Sequence, residues 1–140
     1  MKELWMLILT ALTLLFSSCN DATNTPECEF ETLISAEEFV TAPSDPVSIN
    51  SVEIEGDCLV ITFGASGCSG DTWEVKLIDS ESIMESLPPQ RNLRLSLKND
   101  ELCEAYISKE VSFDISNLQV EGYSLQLNLV NSNESVLYSY

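Results

Sequence analysis

Apolar and polar residues alternate one by one along most of the chain beyond residue 50. In the run VEIEG, Val52 and Ile54 share one side while Glu53 and Glu55 share the other. Such alternation indicates β-strands with one buried and one solvated face, which is typical of antiparallel sheets. Later runs predict further inward positions: Leu59, Ile61 and Phe63; Trp73, Val75 and Leu77; Leu93, Leu95 and Leu97; Val111, Phe113 and Ile115; Tyr123, Leu125, Leu127 and Leu129; and Val136, Tyr138 and Tyr140.

Turn-forming stretches separate these runs at short, regular intervals: EGDC, GASGCSGD, LPPQRN, KNDEL, VEGY and NSNES. We therefore predict an all-β fold over residues 28–140, a single antiparallel immunoglobulin-like β-sandwich of about seven or eight strands. A small closed barrel is the alternative. The stretch SAEEFV places Ser35 and Glu38 at capping-box spacing. Because Pro43 and Pro46 follow closely, it predicts a single helical turn.

The chain opens with MKELWMLILTALTLLFSSC, one charged pair followed by a short uncharged apolar run and small residues. These are the parts of a secretory signal, which we assign to residues 1–18. The apolar run is too short to span a bilayer comfortably, since about 20 apolar residues are needed.

The end of this run, Phe16-Ser17-Ser18-Cys19 preceded by two leucines, resembles a bacterial lipobox and is similar to lipoprotein signals of Bacteroidetes. The resemblance implies cleavage just before Cys19, which becomes a lipid-modified first residue carrying several acyl chains. Several chains anchor a protein stably, whereas one short chain does so only weakly. Residues 19–27 are polar and are predicted to form a flexible tether between the membrane and the domain.

The formal net charge is −17, and removal of residues 1–18 takes away one lysine and one glutamate, so it does not change. This acidity argues against a nucleic-acid partner and against docking on anionic lipid headgroups, while a basic partner is compatible with it. The chain contains no histidine, which excludes a Ser-His-Asp or Cys-His catalytic arrangement. A lipid anchor places the domain in the cell envelope, at the outer membrane, periplasmic or surface-facing.

If Cys19 carries lipid, the other four cysteines form an even set for an oxidising compartment: Cys28, Cys58, Cys68 and Cys103. Two disulfides are expected, with three possible connectivities. We favour Cys68 with Cys103, because both lie in turns at strand ends, which leaves Cys28 for Cys58. No CxxC motif is present, so a zinc knuckle or a close redox dithiol is not indicated.

A Cys68–Cys103 bond would gather four carboxylates, those of Asp71, Asp100, Glu101 and Glu104. Such a group suits Ca²⁺, which takes six to eight oxygen ligands, or an acid/base pair for glycoside hydrolysis. Residues 66–71, SGCSGD, form a glycine-bearing turn whose backbone N–H groups could bind a small anion.

Other candidates lie on aromatic and basic positions. Arg91 and Arg94 flank a stiff Pro-Pro turn and are candidates for a partner-binding loop, or for simple pairing with nearby carboxylates. Trp73 is expected in the core, and Tyr106 and Tyr123 are candidate sugar-stacking residues. The last strand, with Tyr138 and Tyr140, would either cap the core or offer a docking edge.

Several stretches together resemble small β-sandwich lipoproteins of Bacteroidetes with no assigned activity: GDCLVITF, SGCSGDTWEVKL, PPQRNLRLSLKND, DELCEAYISKEVSFDISNL and GYSLQLNL. The resemblance covers about residues 52–130. It implies the fold, a lipid anchor and a Cys68–Cys103 link, and it supplies no reaction. Those relatives commonly carry a histidine near the position of Asp71, so any metal or acid-base role there is not carried over.

The expected function is a non-catalytic binding or accessory module that engages a protein or a glycan, with no cofactor. A structural envelope lipoprotein without a ligand and a Ca²⁺-dependent carboxylate hydrolase are the alternatives.

Overall fold

The computed structural model describes residues 27–140; the predicted signal, the predicted lipidation site Cys19 and the predicted tether up to residue 26 lie outside them. Nine strands, one helix and one 3₁₀ turn form the domain. The elements are β1 (Phe30–Glu31), β2 (Leu33–Ile34), α1 (Ala36–Thr41), β3 (Ser48–Glu55), β4 (Cys58–Gly67), β5 (Glu74–Met84), β6 (Gln90–Lys98), β7 (Ala105–Asp114), the 3₁₀ turn (Ser116–Leu118), β8 (Ser124–Leu129) and β9 (Ser135–Ser139).

The strands form two sheets that face each other across one core. Sheet A has the order β1-β7-β4-β3 and sheet B the order β2-β5-β6-β8-β9. The predicted all-β, two-layered architecture is confirmed, and residues 27–140 do not close into a barrel. The strand count exceeds the predicted seven or eight because β1 and β2 have only two residues each.

The prediction of a purely antiparallel sandwich is wrong, because β1 pairs with β7, β2 with β5 and β6 with β8 in parallel. The first two pairs arise where the N-terminal segment changes sheets. β1 joins sheet A, Thr32 donates its N–H to the carbonyl of Asp114, and β2 then joins sheet B. A two-residue strand carries no alternation of its own, so the sequence pattern could not reveal this crossing. The more specific immunoglobulin-like assignment stays a prediction.

Inward positions were predicted well where strands are long. Leu59, Ile61 and Phe63 on β4 are at most 1% exposed, and the three leucines of β6 are equally buried. Burying a side chain of this size contributes roughly 1.5–3 kcal/mol. Tyr123 is the exception at 86% exposed, because it lies just outside β8 and follows Gly122, whose φ is +126°.

The helix α1 is longer than the predicted single turn, although it has only six residues. Ser35 caps it by accepting a hydrogen bond from the backbone N–H of Glu38 at 3.2 Å. The Glu38 carboxylate does not return to Ser35; it pairs with Lys76 on β5 at 3.2 Å. Half of the capping box therefore forms, and the other half is replaced by a contact that fixes α1 against sheet B.

Strand directions divide the loops between two ends of the sandwich. The end near residue 27, called the tether end after the predicted tether, carries the β3–β4 turn, residues 85–89 and residues 119–123. Glu27 lines a groove at this end with Asp57, Asp114 and Ser116. The distal end carries residues 68–73 and 99–104. Within the described residues, no helix has the length and apolarity needed to cross a membrane.

Candidate binding site at the disulfide-linked loops

Two loops that cross between the sheets meet at the distal end. The first, residues 68–73, leads from β4 to β5, and the second, residues 99–104, leads from β6 back to β7. Cys68 and Cys103 join them, with their Cα atoms 4.8 Å apart. Cys28 and Cys58 form the second disulfide and fix the start of the domain to β4. Both bonds follow the pairing that the sequence favoured, and each contributes roughly 2–4 kcal/mol.

The carboxylate of Glu101 occupies the turn formed by the first loop. Its Oε2 atom accepts the backbone N–H groups of Cys68, Ser69 and Gly70 at 2.5, 3.1 and 3.0 Å. Its Oε1 atom accepts the hydroxyl of Thr72 at 3.0 Å. Three successive N–H groups that converge in this way form a nest, which favours an anion. The backbone hydrogen bond from Gly70, followed by the bonds from its neighbours, lowers the pKa of Glu101 to about 2.

This arrangement explains why the predicted anion site is not open. Residues 66–71 do form an anion-binding turn, as their glycines suggested, but the anion is a carboxylate of the same chain. Gly70, at a φ of +72°, lets the turn curl around it. No pattern in the sequence places Glu101 beside the turn, and only the favoured Cys68–Cys103 disulfide predicted that the two lie close together.

The four carboxylates predicted as a calcium site do not form one cluster, for a related reason. Glu101 is fully engaged in the nest, Asp71 pairs with Lys109 at 3.3 Å, and Asp100 lies 3.8 Å from Lys98. Across residues 27–140, no three carboxylate, thiol or imidazole groups lie close enough together to hold a metal ion. The disulfide brings the two loops together, but the carboxylates turn to separate partners. Glu104 is exposed and joins none of them.

Asn99 fixes the start of the second loop. Its backbone N–H donates to Asp45 at 2.8 Å and its Nδ2 to the carbonyl of Ser66 at 2.7 Å. Its Oδ1 accepts the N–H of Glu101 at 3.0 Å. The loop is thus held at Asn99, Glu101 and Cys103. Between the last two, Leu102 is 95% exposed.

Tyr106 forms an exposed aromatic surface beside these loops, on the outer face of sheet A. Its ring lies across Gly64, where a Cβ atom would overlap the phenol oxygen and Cζ. Its hydroxyl donates to Asn50 at 3.3 Å. The ring is 61% exposed, so one of its faces is open to solvent. Of the two predicted sugar-stacking residues, Tyr106 therefore has a supported ring, whereas Tyr123 lies at the tether end.

Trp73 closes the gap between the sheets beneath the loops. It is half-buried, its ring centroid lies 5.9 Å from that of Phe63, and the Lys109 Nζ atom lies over the ring at 5.9 Å from the centroid. The prediction of a core tryptophan is therefore only partly right. Its side chain packs against the core and also lines an open groove of about 560 Å³ with Phe30 and Val75.

The two arginines predicted to bind a partner have structural roles. Arg91 is 8% exposed and donates to the fully buried Asp79 at 2.9 Å. Burial raises the pKa of Asp79, although Arg91 and the N–H of Glu81 oppose this. The alternation of β6 does indicate burial of Arg91, because Arg91 lies on the same inward side of the strand as Leu93. The prediction that Arg91 lies in a surface loop is wrong.

Arg94 satisfies the end of helix α1. Its guanidinium donates to the carbonyls of Glu38, Phe39, Ala42 and Pro43 at 2.7–3.3 Å. The carbonyl of Glu38 also accepts the N–H of Ala42 at 3.0 Å, whereas those of Phe39 and Ala42 belong to the helix end, where carbonyls lack intrahelical partners. The structure therefore assigns Arg94 to holding α1 on sheet B, and not to a free binding loop.

The tyrosines of the last strand pack at the tether end of the core, as the more favoured interpretation predicted. Tyr138 is fully buried and donates its hydroxyl to Asp57 at 2.5 Å, while Gln119 donates to it at 2.7 Å. Burial, with the bond to Asp57, raises the pKa of Tyr138 to about 12. The ring of Tyr140 lies 4.9 Å from that of Tyr138.

No protein-family model and no curated protein matches the chain. Three similar solved structures each match 79% of it. A NigD-like immunity protein from Bacteroides caccae has a TM-score of 0.56 at 10% identity, with 59% of its chain covered. A putative toxin related protein from Parabacteroides distasonis has a TM-score of 0.52 at 20% identity, with 60% of its chain covered. A protein of unknown function (DUF1344) from Bacteroides vulgatus has a TM-score of 0.49 at 19% identity, with 55% of its chain covered.

The chain thus spans less than two thirds of the length of these three proteins. At 20% and 10% identity, the two structures with TM-scores above 0.5 show a shared fold alone. Their source organisms agree with the resemblance to Bacteroidetes proteins drawn from the sequence.

Proposed function

We propose that this protein is a lipid-anchored binding module of the cell envelope that engages a protein partner without catalysis. Leu102 carries the proposal. It is 95% exposed, yet it lies between Glu101, held in the nest, and Cys103, held by a disulfide. An apolar side chain that a rigid loop already holds in water can enter a complementary apolar pocket without reordering the loop.

The rigidity of the loop supports a binding role. Ordering a flexible loop at an interface costs about 0.5–1.5 kcal/mol for each immobilised side chain. The bonds of Asn99, Glu101 and Cys103 remove much of that cost before a partner arrives. The loop therefore presents Leu102 in a fixed position.

The charge around Leu102 indicates the chemistry of the partner. Asp100 and Glu104 flank it and are exposed, on a chain with a net charge of −17. A complementary surface would have an apolar pocket for the leucine with lysine or arginine at its rim. Such complementarity mainly raises the association rate and falls with salt.

Photocrosslinking in intact cells tests the proposal. A benzophenone amino acid at position 102 should give a discrete protein adduct, and Glu101→Ala in the same chain should weaken it by loosening the loop. The matched control is position 137, a leucine that is 58% exposed on the edge strand β9. Equal adducts at both positions would contradict the proposed site. If neither position gave an adduct, a structural envelope role would be favoured.

A glycan is the second candidate, favoured by the open ring face of Tyr106 above Gly64. Sugars stack on exposed aromatic faces of this kind. Retention on envelope polysaccharide that is lost in Tyr106→Ala but kept in Leu102→Ser would select this alternative. The reverse result would select the protein partner.

A further inference from the structure

Apolar residues are also exposed at the tether end, away from the loops that carry Leu102. Leu87 is 100% exposed and Tyr123 is 86% exposed. With Pro88 and Pro89 they line one open cleft of about 440 Å³. These four residues are called the apolar tip below.

Hydrogen bonds hold the apolar tip in its exposed form. Ser86 donates its hydroxyl to the carbonyl of Pro88 at 2.6 Å, which shapes the loop that carries Leu87. The carbonyl of Pro89 accepts the N–H of Gln126 at 2.9 Å, and that of Tyr123 accepts the N–H of Tyr140 at 3.1 Å. The two loops are thus fixed side by side, and their apolar side chains do not fold back onto the core.

The described chain begins at the same end. Glu27 lines a groove with Asp57 and Asp114, which are in the β3–β4 turn and at the end of β7. The β5–β6 loop that contains Leu87 lies at this end because β5 and β7 run in the same direction, as their parallel partners β1 and β2 show. The point where the tether meets the domain and the apolar tip therefore share one end of the sandwich.

We infer that the apolar tip rests on the surface of the bilayer that holds the lipid anchor; this rests on the proposed lipidation of Cys19. Seven residues lie between Cys19 and Glu27, and the eight steps that join the two span at most about 29 Å. That is shorter than the roughly 33 Å covered by the ten residues of β4. The tether end is thus always within one domain length of the membrane.

The chemistry of the tip fits a zwitterionic interface. Tyrosine is favoured at the boundary between headgroups and acyl chains, and a single leucine adds apolar area without spanning. Glu85 and Glu121 stand beside the tip and are exposed. They would weaken the contact as anionic lipid is added, because their charge repels a negative surface. A tip at the membrane would direct residues 99–104 away from it.

Quenching by lipid tests this contact in the full mature lipoprotein, reconstituted in phosphatidylcholine vesicles that carry bromine on their acyl chains. Leu87→Trp should lose most of its added emission. Leu102→Trp, at a similarly exposed position on the distal end, should keep it. The wild type supplies the background from Trp73. Replacing part of the lipid with phosphatidylglycerol should reduce the quenching at position 87.

The outcomes separate the two proposals. A protein that floats with the vesicles but shows equal quenching at positions 87 and 102 overturns the tip contact alone. A protein that does not float overturns the lipid anchor, and with it the inference. An unquenched residue 87 would also be the result if the tip binds another protein, and it counts against the membrane contact.

Discussion

At the scale of single residues, the main finding is that one carboxylate of the chain takes the place of a ligand. The nest at residues 68–70 has the geometry of an anion site, and Glu101 fills it from 31 residues away. A charged group held by three backbone N–H groups and a hydroxyl is a strong point of attachment. It ties the two distal loops together independently of the disulfide beside it.

We expect Glu101→Gln to lower the urea midpoint of unfolding at neutral pH and to lose this effect in acid. The carboxyl has a pKa of about 2 when folded, below its ordinary value of 4.5. Its contribution is therefore complete above about pH 4.5 and is lost as the pH falls towards 2. Urea titrations at several pH values measure it.

Glu104→Gln is the control, since it removes the same charge from an exposed position in the same loop. A destabilisation by Glu101→Gln that stayed constant down to pH 2 would show that the carboxylate charge is not what holds the loops.

At the scale of elements, Tyr106 accounts for a glycine inside a central strand. Glycine normally weakens a strand, since it has no side chain to pack and loses much conformational freedom. Here Tyr106 on β7 lies over Gly64 on β4 and reaches Asn50 on β3. One side chain thus spans three strands of sheet A.

We expect Gly64→Ala to destabilise the protein by roughly 1–3 kcal/mol, because the new methyl group displaces the Tyr106 ring. In a Tyr106→Ala background the same change should be neutral or should stabilise by up to about 1 kcal/mol, since alanine restricts the unfolded chain. Urea unfolding of the four proteins in this cycle gives the coupling. If Gly64→Ala changed the stability equally in both backgrounds, the position of the Tyr106 ring would not depend on the absence of a side chain at residue 64.

The elements that the sequence predicted are those with enough residues to show a period. β4, β6 and β8 have their apolar residues where the alternation placed them. β1 and β2 escaped prediction because two residues carry no pattern and their parallel partners lie far along the chain. The Arg91–Asp79 pair was missed for a different reason: both residues follow the inward alternation, but their charge suggested a surface position. Leu102 lies in a loop, where no pattern marks exposure.

At the scale of the whole molecule, the two ends of the sandwich differ in what they expose. The tether end exposes Leu87 and Tyr123, and the distal end exposes Leu102 within an acidic loop. The roles proposed for both sets of residues depend on the orientation that the domain would have at a membrane. That direction follows from the predicted anchor at Cys19, which makes the anchor the first point to test.

We expect Cys19→Ala to move the protein from the membrane fraction to the soluble fraction. The acidic domain should not bind anionic headgroups by charge, so the lipid supplies the stable attachment. The apolar tip alone would hold the domain only weakly. Wild-type protein should accordingly stay in the pellet after washes with high salt, because salt screens charge and leaves acyl chains buried.

The matched control is Cys28→Ala with Cys58→Ala, which removes a disulfide and leaves the predicted lipid site intact. This variant should be less stable by roughly 2–4 kcal/mol yet should remain with the membrane. The amount of each variant in the membrane fraction separates the loss of the anchor from the loss of folding stability. If Cys19→Ala protein still pellets after a salt wash, the signal has been misread, and the orientation argued for both ends of the sandwich loses its basis.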